Sequence, residues 1–473
     1  MQQNLNLALT QIRENSIEVL QDENTLFKCS LDHSRYSVLP SAVVRVKAQE
    51  QVGIVLKIAN KFNIGVTVRG SGTGCSGGCV PLDKGIVLDL SKLNKIEIDA
   101  VSRIATVEAG AITFDVDKSA NEYGLFYAPD ASSHKFCSIG GNIACNAGGL
   151  RALKYGVTRD NVISLKAYTG SGELVNCALP LKKFSVGLNL RDLFIGSEGL
   201  LGVIVEAKLK LLPLPESRKT LISFFDGDLK AFAGISKIMK SPLMPCVLEF
   251  MDSDTITCER KRFPELSIPE GKSVLLIEFD GTQAEVDEAV NKCSKLFDDI
   301  RTSNSDQERE MLWKIRRAAS PAMYEMGDSK ISQDIVLPIS SLEEFFAYYK
   351  GLGKKYNISC PVFGHSGDGN YHIHFMYNSA DLQSAQKARE AMDLSIKKTI
   401  ELGGAVSGEH GIGFLKTKYM SLQHSEFELN LMRQLKMLFD PQNILNRSKV
   451  LWENSTEVKN LRPLKNIHLP WDK

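Results

Sequence analysis

The sequence lacks several features that would place it in common classes of protein. Its 57 basic residues are matched by 56 acidic ones, so no overall field favours nucleic acid or an anionic membrane. No apolar run approaches the roughly 20 residues needed to cross a bilayer. The beginning of the chain shows no basic region followed by an apolar core. We therefore expect a cytoplasmic protein that does not bind nucleic acid, and peripheral attachment to the inner membrane stays open.

The spacing of the cysteines indicates neither a disulfide framework nor a metal site. None of the 10 cysteines belongs to a Cys-x-x-Cys pair, and nothing near Cys75 and Cys79 completes a set of metal ligands. Disulfide scaffolds and internal iron–sulfur clusters are thereby excluded, and a reducing compartment fits best. With 473 residues, 43% of them hydrophobic, the chain is long enough for two domains or more.

Glycine, in contrast, is concentrated between Val68 and Pro81. A helix-period segment at Val52 to Phe62 and a strand at Ile64 to Val68 precede this stretch, so the glycines form a loop at a strand end. Consecutive N–H groups of such a loop can close on an anion, which predicts a diphosphate site. Because the loop lacks Gly-x-Gly-x-x-Gly and a Gly-Lys-Ser/Thr ending, it indicates neither a Rossmann site nor a P-loop. A plain connecting turn is the alternative.

Motifs further along the chain give the loop a context. They are Pro40-Ser-Ala-Val-Val-Arg45, Ala128-Pro-Asp130, Ser138-Ile-Gly-Gly-Asn142, Asn146-Ala-Gly-Gly149 and Asp192 to Gly202. In this order the run resembles the flavin-binding domain of the vanillyl-alcohol oxidase family, the p-cresol methylhydroxylase (PCMH) type. The resemblance implies an FAD site.

The resemblance assigns cofactor-binding residues one by one. They are Pro40, Arg69, Gly70, Ser71, Gly72, Thr73, Gly74, Ser76, Gly77, Pro129, Asp130, Ser138, Gly140, Gly141, Asn142, Ala147, Gly148, Gly149, Glu198, Gly199, Gly202, Ile204 and Asn446. Some relatives attach flavin through a histidine where this chain has Thr73, so we expect non-covalent FAD. Attachment through Cys137 or Cys145 stays open.

The pattern of strands and helices predicts an α+β architecture. We expect a two-subdomain PCMH-type FAD-binding domain over residues 1–214, a hinge marked by Pro213 and Pro215, and a ferredoxin-like α+β cap over residues 215–440. The segment 441–473 is expected to return to the FAD-binding domain; its family ending Asn-Pro-Gly-Lys reads Asn446-Arg447-Ser448-Lys449 here. Residues 5–20 have helix-period apolar positions, which predicts a leading helix.

Histidines cluster in the cap. Of 8 in the chain, four fall in Gly364-His-Ser-Gly-Asp-Gly-Asn-Tyr-His-Ile-His374 and Ser407-Gly-Glu-His-Gly-Ile-Gly413. His372 and His374 alternate along a predicted strand and share a face. Two imidazoles and the Glu409 carboxylate would leave open positions on a divalent ion. The alternative is a set of buried structural histidines whose polar atoms are satisfied.

These two motifs are similar to those of the FAD-linked D-2-hydroxyacid dehydrogenases, which include D-lactate, D-2-hydroxyglutarate and glycolate enzymes. The resemblance implies a divalent metal, commonly zinc, on His365, His372 and Glu409, and His410 as the catalytic base. It makes Arg316 the group that binds the substrate carboxylate, with Ser320 one helical turn away. His374 would add a ligand or shape the substrate pocket, and the choice between His372 and His374 as ligand stays open.

The expected reaction is oxidation of a D-2-hydroxy acid, D-lactate or a similarly small one, with hydride passing to flavin N5. An acceptor outside this chain would take the electrons: a cytochrome, a quinone, an electron-transferring flavoprotein or a partner subunit. D-2-hydroxyglutarate, whose distal carboxylate Lys330 or Arg317 would meet, and glycolate are alternatives. A non-redox transferase like alkylglycerone-phosphate synthase and a non-catalytic carrier subunit are rivals. A homodimer stays open.

Overall fold

The computed structural model describes residues 2–181, 183–266, 268–452, 456–464, 467 and 469. The remaining parts of the predicted returning segment, 453–455, 465–466, 468 and 470–473, lie outside the described residues. The chain divides into two compact units. The first combines Met1–Gly148, Gly156–Leu214 and Glu409–Lys473, and the second combines Gly149–Tyr155 and Pro215–Gly408.

Strands and helices are numbered in chain order. The strands are β1 (Glu18–Leu20), β2 (Ala42–Arg45), β3 (Val66–Arg69), β4 (Ile86–Asp89), β5 (Ile96–Asp99), β6 (Ile104–Glu108), β7 (Leu125–Phe126), β8 (Val162–Tyr168), β9 (Leu174–Cys177), β10 (Val203–Lys210), β11 (Leu212–Pro213), β12 (Ser217–Phe225), β13 (Val247–Met251), β14 (Ser273–Gly281), β15 (Ile300–Thr302), β16 (Ser329–Val336), β17 (Val362–His365) and β18 (Asn370–Tyr377). The helices are α1 (Gln2–Glu14), α2 (Glu23–Cys29), α3 (Gln49–Phe62), α4 (Thr113–Asn121), α5 (Ile139–Cys145), α6 (Ala152–Tyr155), α7 (Thr158–Asn161), α8 (Arg191–Phe194), α9 (Asp228–Lys240), α10 (Ser253–Arg262), α11 (Gln283–Ser294), α12 (Asp306–Ala322), α13 (Leu342–Tyr356), α14 (Leu382–Glu401), α15 (Met420–Gln423), α16 (Glu426–Phe439) and α17 (Thr456–Lys459).

The first sheet of the first unit positions the glycine loop. Its described strands lie in the order β1-β2-β4-β3, and β2 and β3 run parallel to β4. Helix α3 crosses between β2 and β3 and buries Val52, Val55 and Leu56 on one face, as expected for helical periodicity. It ends at Asn63 in the left-handed conformation, with φ 53°. Strand β3 follows and ends at Arg69, so the glycine loop leaves the carboxyl end of a parallel strand.

The helix expected over residues 5–20 ends earlier in the structure than the periodicity of its apolar residues predicts. Helix α1 ends at Glu14, and Ser16 adopts φ 58°, which L-residues do not sustain in a helix. The apolar residues beyond it form β1, which pairs antiparallel with β2. A run of Ile17, Val19 and Leu20 suits an extended edge strand as well as a helix, and pairing with β2 decides between them.

The second sheet of the first unit is antiparallel. Among the described residues its order is β5-β6-β10-β8-β9. Strands β6 and β8 coincide with the runs Ile104–Glu108 and Val162–Tyr168, whose Val, Ile and Leu content favours strands. Helices α4 and α5 pack on this sheet through Val116, Ile139 and Ile143. The two sheets together are the two subdomains that the sequence predicts.

The second unit is built on one antiparallel sheet. Its described strands lie in the order β15-β12-β14-β13-β17-β18-β16. The part β15-β12-β14-β13, connected through α9 and α11, has the strand order of a ferredoxin-like fold. The predicted ferredoxin-like cap is therefore confirmed, and β17, β18 and β16 extend it. Helix α6 belongs to this unit as well, because Lys154 Nζ and Tyr155 Oη lie 2.7 and 2.8 Å from Asp280 Oδ1.

The chain rejoins the first unit at Glu409, earlier than the boundary expected at 441. Helix α16 is held there because Phe439 packs edge-on against Phe194, with ring centroids 5.4 Å apart. The carbonyl oxygen of Phe439 also accepts from Gly170 N–H at 2.9 Å. Ser448 adopts φ 61°, the conformation for which the family motif uses glycine. None of the described helices is long and apolar enough to span a membrane.

Candidate active site

The glycine loop packs closely on the start of α5. A Cβ at Gly70 would lie 2.1 Å from Ser138 Oγ, so only glycine permits this approach. From Gly70 to Gly74 no backbone N–H donates a hydrogen bond to another described residue. The Ser138 hydroxyl is buried and likewise has no hydrogen-bond partner within the described ranges. A row of unpaired donors beside a buried hydroxyl fits an anionic ligand, and the diphosphate of FAD is such a ligand.

Charged side chains lie beneath the loop. Arg69 is buried, and its Nη1 donates to the Leu31 carbonyl oxygen at 2.7 Å. Lys449 Nζ donates to the Gly78 carbonyl oxygen at 2.8 Å. Burial lowers the pKa of Lys449 to about 8, against the opposing effect of acidic neighbours. Lys449 therefore supports the loop backbone directly, whereas Arg69 connects the start of the loop to Leu31.

The second glycine cluster surrounds α5. Asn142 is buried and its Nδ2 donates to Thr113 Oγ1 at 2.8 Å, which ties α5 to α4. Asn146 ends the helix with φ 50°. Burial raises the pKa of the Cys145 thiol well above its usual range, so the thiolate needed for covalent attachment is disfavoured. Gly149, also predicted to contact the cofactor, belongs to the second unit.

Glu198 and Asn446 contact backbone groups of the first unit. Glu198 Oε1 accepts from Ile412 N–H at 2.7 Å, and Oε2 accepts from Gly413 N–H at 2.8 Å. Burial raises the pKa of this carboxyl although the two N–H donors act against it. Asn446 Nδ2 donates to the Glu198 carbonyl oxygen, and its Oδ1 accepts from Val68 N–H. The two predicted cofactor residues thus connect four separate stretches of the chain, their own two and those of Val68 and Ile412.

The segment that carries the predicted base is anchored on the glycine loop. Ser76 Oγ donates to the carbonyl oxygens of His410 and Gly411, each at 3.0 Å. A Cβ at Gly413 would lie 1.9 Å from the Ser76 carbonyl oxygen, and Gly413 has φ 52°. His410 Nε2 lies 3.5 Å from Glu409 Oε1. This backbone path fixes the position of His410 relative to the loop.

The other three histidines lie on β17 and β18 of the second unit. The rings of His365 and His372 are perpendicular, with centroids 5.4 Å apart. A metal lies ~2.0–2.1 Å from a ligating imidazole nitrogen, so two rings at this separation can share one ion. His374 is buried, and its Nδ1 lies 2.7 Å from Ser332 Oγ. The structure therefore pairs His372, rather than His374, with His365.

Glu249, on β13, links two predicted site residues. It is the register partner of His365, and its Oε1 lies 2.6 Å from His365 Nδ1. Its Oε2 accepts from Arg316 Nε at 2.5 Å. Burial alone would raise the pKa of Glu249, but its interactions with His365 and Arg316 outweigh burial and lower the pKa to about 2. The carboxylate is therefore ionised, and each of its two oxygens has a hydrogen-bond partner.

Helix α12 carries the predicted substrate-binding residues. The Arg316 guanidinium lies over the Phe363 ring, 4.7 Å from its centroid, and Nε is the atom bonded to Glu249. Ser320 lies one turn further along, and Lys330 Nζ lies 3.5 Å from its hydroxyl oxygen. Arg317, in contrast, is half exposed and ion-pairs with Glu310. Lys330 is the cation that the structure brings close to Ser320.

Glu409 is the first residue after the second unit. The preceding Gly408 donates its N–H to Asp334 Oδ2 at 2.8 Å, and Asp334 is the register partner of His372. Ala405 forms a bridge with Val336. The chain leading to Glu409 is thus held along β16, the strand paired with β18.

Glu249, Asp334 and Lys449 were missed from the sequence. A signal existed for Glu249: it is the single charged residue in Val247-Leu-Glu-Phe-Met251, a run buried on both faces. A carboxylate is rarely placed there without a charged or hydrogen-bonding partner. Asp334 lies in a mixed polar strand and gives no such signal.

Comparisons with known proteins define the class of this chain. Residues 40–178 match the FAD binding domain. Residues 214–450 match the C-terminal domain of FAD linked oxidases. The chain therefore belongs to the FAD-linked oxidases, and it is an FAD-dependent oxidoreductase.

Its sequence relatives narrow the class. The chain is 36% identical to glycolate oxidase subunit GlcD of Bacillus subtilis over 88% of this chain and 90% of that protein. It is 33% identical to D-lactate dehydrogenase of Anaerostipes hadrus, with 88% and 90% covered. It is 34% identical to D-2-hydroxyglutarate dehydrogenase of Xanthomonas citri pv. viticola, again with 88% and 90% covered. All three relatives are named as enzymes of hydroxy acid oxidation.

Solved structures show the same fold. p-Cresol methylhydroxylase with substrate bound gives a TM-score of 0.76 at 16% identity, covering 96% of this chain and 98% of that one. Alkyldihydroxyacetonephosphate synthase gives 0.71 at 18% identity, covering 90% and 82%. The predicted PCMH-type α+β architecture is confirmed. At such low identity these likenesses carry no conclusion about the reaction.

Proposed function

We propose that the chain oxidises a D-2-hydroxy acid to the 2-oxo acid, using FAD and passing the electrons to an acceptor outside the chain. The observation that carries the proposal is the arrangement in the second unit. His365 belongs to a pair of imidazoles suited to a metal, and it shares the buried Glu249 with the Arg316 guanidinium, which is suited to a carboxylate. A 2-hydroxy acid offers a carboxylate and an adjacent hydroxyl to such a pair of groups. The names of the three sequence relatives support the substrate class.

The metal ligands in this proposal are His365, His372 and Glu409, and zinc is the expected ion. The 5.4 Å separation of the two rings supports the histidine pair. The hydrogen bond from Gly408 to Asp334 supports Glu409, because it fixes the residue directly before that carboxylate. Two neutral imidazoles and one carboxylate are a donor set that zinc accepts while keeping an open position. A bound zinc ion supplies a Lewis acid that lowers the pKa of the substrate hydroxyl.

His410 is the proposed base that takes the hydroxyl proton. Its main chain is fixed by the hydrogen bond from Ser76, and its ring is partly exposed, as a group that must reach substrate requires. Arg316 would bind the substrate carboxylate through its terminal amino groups, since Nε is bonded to Glu249. Ser320 would contact the same end of the substrate, and the buried His374 would shape the pocket.

FAD is proposed to be held without a covalent bond. The N–H groups from Gly70 to Gly74 and the Ser138 hydroxyl are the donors that fit its diphosphate. Thr73 offers no imidazole for attachment, and the raised pKa of Cys145 argues against a thiolate. When bound, FAD supplies the hydride acceptor, flavin N5, for the hydrogen on the substrate Cα.

D-Lactate is the leading substrate, because a small acid needs only the carboxylate contact. D-2-Hydroxyglutarate is the second candidate, because Lys330 Nζ lies 3.5 Å from Ser320 Oγ and could meet a distal carboxylate. Arg317 is less suited to that task, since it pairs with Glu310 at the surface. Glycolate, named for one relative, is a third acid to test.

A non-redox transferase is the rival of another class. Alkyldihydroxyacetonephosphate synthase shares the fold, but the sequence relatives are named for oxidation. A carrier subunit without catalysis is a further rival, which Glu409 and His410 argue against. The proposed electron acceptor is one of four kinds: a cytochrome, a quinone, an electron-transferring flavoprotein or a partner subunit. The proposal is compatible with a homodimer and with a cytoplasmic site attached to the inner membrane.

An anaerobic titration of the purified protein tests the proposal. D-Lactate, L-lactate, glycolate and D-2-hydroxyglutarate are added in turn, with and without a chelator, while the flavin spectrum is recorded. Bleaching of bound flavin by a D-acid or glycolate, prevented by chelation, is the expected result. Bound flavin that none of the acids reduces would overturn the proposal in favour of the transferase or the carrier.

A further inference from the structure

We propose that Glu249 is a positioning residue that orients His365 for the metal and Arg316 for the substrate carboxylate at the same time. The proposal rests on the proposed function, because it concerns side chains assigned there. Each of its carboxylate oxygens serves one of the two residues. Metal affinity and substrate affinity would therefore depend on one buried side chain that touches neither ligand.

The contact with His365 selects a tautomer. Nδ1 lies 2.6 Å from Glu249 Oε1, and a carboxylate oxygen at one imidazole nitrogen favours the tautomer that carries its proton there. Nε2 is then the nitrogen left to bind a metal. A carboxylate on the far side of a ligating imidazole also raises its basicity, and losing such a partner typically weakens metal binding ~10–100-fold.

The contact with Arg316 fixes the plane of the guanidinium. Nε is held by Glu249 Oε2 at 2.5 Å, and the group lies over the Phe363 ring. These two contacts act on one edge and one face of the planar group. Its terminal amino groups remain as the pair that can bind a carboxylate in parallel.

The surroundings of Glu249 make it a rigid support. It lies on β13, which pairs with β14 on one side and with β17 on the other, and its side chain is completely buried. A glutamine here keeps the shape but has one acceptor oxygen and one donor amide. It can satisfy His365 or Arg316, but its amide would face the donor of the other. The charge itself is therefore required to serve both residues.

The experiment compares Glu249→Gln with Glu278→Gln in the flavin-loaded protein. Glu278 is an equally buried glutamate on the neighbouring strand, and it accepts from Trp313 Nε1 and Thr220 Oγ1. Zinc affinity is measured by competition with a chromophoric chelator, and KM and kcat are measured separately with the reducing acid. For Glu249→Gln we expect zinc affinity to fall ~10–100-fold and KM to rise, while Glu278→Gln changes neither.

Glu249→Asp keeps the charge and shortens the reach, so it serves if Glu249→Gln does not fold. It should lower zinc affinity and raise KM as well. A folded Glu249→Gln or Glu249→Asp with zinc affinity and KM like the wild type would overturn the role of Glu249. Wild-type protein that reduces its flavin with substrate but binds no zinc would instead remove the proposed metal, which is a different outcome.

Discussion

The hydroxyl of Ser76 lies 3.0 Å from the carbonyl oxygen of His410. Ser76 belongs to the glycine loop that fits the FAD diphosphate, and His410 is the proposed base. The two residues are 334 positions apart in the chain. One short contact therefore joins the cofactor loop to the segment that would handle the substrate proton, and both lie within the first unit.

Replacing Ser76 by alanine removes this contact together with the one to Gly411. We expect Ser76→Ala to keep its FAD, because the N–H groups from Gly70 to Gly74 remain. It should lose ~1 kcal/mol of stability, because the partly buried carbonyl oxygens of His410 and Gly411 lose their shared donor. Turnover should fall by more than affinity for the acid, since the main chain of His410 loses its hydrogen bond to the loop. Flavin content, thermal unfolding and steady-state kinetics measure the three effects.

Ser41→Ala is the matched control for that variant. Ser41 Oγ also donates to a backbone carbonyl oxygen of the first unit, that of Lys84, at 2.6 Å, but it touches neither motif. It should lose comparable stability at most and keep normal turnover. A Ser76→Ala enzyme with unchanged kcat would show that the contact does not position His410.

His410→Asn tests the base directly. Asparagine keeps a polar group of similar reach but cannot take a proton, so flavin reduction should slow ~10²–10⁴-fold while FAD stays bound. Stopped-flow mixing with the reducing acid under anaerobic conditions gives the rate. His424→Asn, a change in the same unit outside the two histidine motifs, should reduce its flavin at the wild-type rate. Near-normal reduction by His410→Asn would remove the proposed role.

Much of the fold could be predicted because its signals are local. The bounds of β6 and β8 follow from their apolar runs, and the end of α3 follows from its periodicity. The end of α1 could not be predicted in this way, because Ile17 to Leu20 suits a helix or a strand. Its conformation is set by pairing with β2, a contact with residues far along the chain.

The residues of the site differ in the same way: some belong to local sequence motifs, and others are brought together only by tertiary packing. His365 and His372 could be found because a glycine-punctuated motif brings them together within eight positions of the sequence. Glu249 lies 116 positions from His365, and only the register of β13 with β17 brings the two side chains together. The hydrogen bonds that Glu198 accepts from Ile412 and Gly413 likewise join residues more than 200 positions apart. Such partners follow from tertiary packing, which a single sequence does not display.

Glu259 gives the second unit a measurable dependence on pH. The side chain is fully buried, and neither carboxylate oxygen has a hydrogen-bond partner among the described residues. Burial raises its pKa from 4.5 to about 9, although the Arg316 charge opposes this. The unfolded chain ionises near 4.5, so it binds fewer protons than the folded chain between these values. Stability should therefore fall as pH rises from about 4.5 to about 9.

Glu259→Gln removes this dependence because an amide does not ionise. At pH 8 the variant should be more stable than the wild type by at least ~1 kcal/mol, and at pH 4 the two should be similar. Urea unfolding followed by tryptophan fluorescence at several pH values measures the difference. Glu265→Gln, an exposed change in the same region, should follow the wild type. A Glu259→Gln protein with the wild-type pH dependence would contradict the assignment.

Lys330 allows the choice of substrate to be tested. Its Nζ lies 3.5 Å from Ser320 Oγ, and Ser320 is one helical turn from Arg316, so a second carboxylate of the substrate would meet it. Lys330→Met keeps the length of the side chain and removes the charge. We expect KM for D-2-hydroxyglutarate to rise ~10-fold, about 1.4 kcal/mol, because its distal carboxylate would lose its cation. KM for D-lactate, which has no distal carboxylate, should change less than about twofold.

Arg317→Met is the control, because Arg317 lies beside Arg316 in the sequence but pairs with Glu310 at the surface. Like Lys330→Met it removes one positive charge, here from α12, and it should leave KM for both acids unchanged. Equal effects of Lys330→Met on the two acids would mean that Lys330 acts on the shared carboxylate, next to Arg316. If Arg317→Met instead raises KM for D-2-hydroxyglutarate alone, Arg317 and not Lys330 binds the distal carboxylate. Only a group that contacts this second carboxylate can change KM for one acid and not for the other.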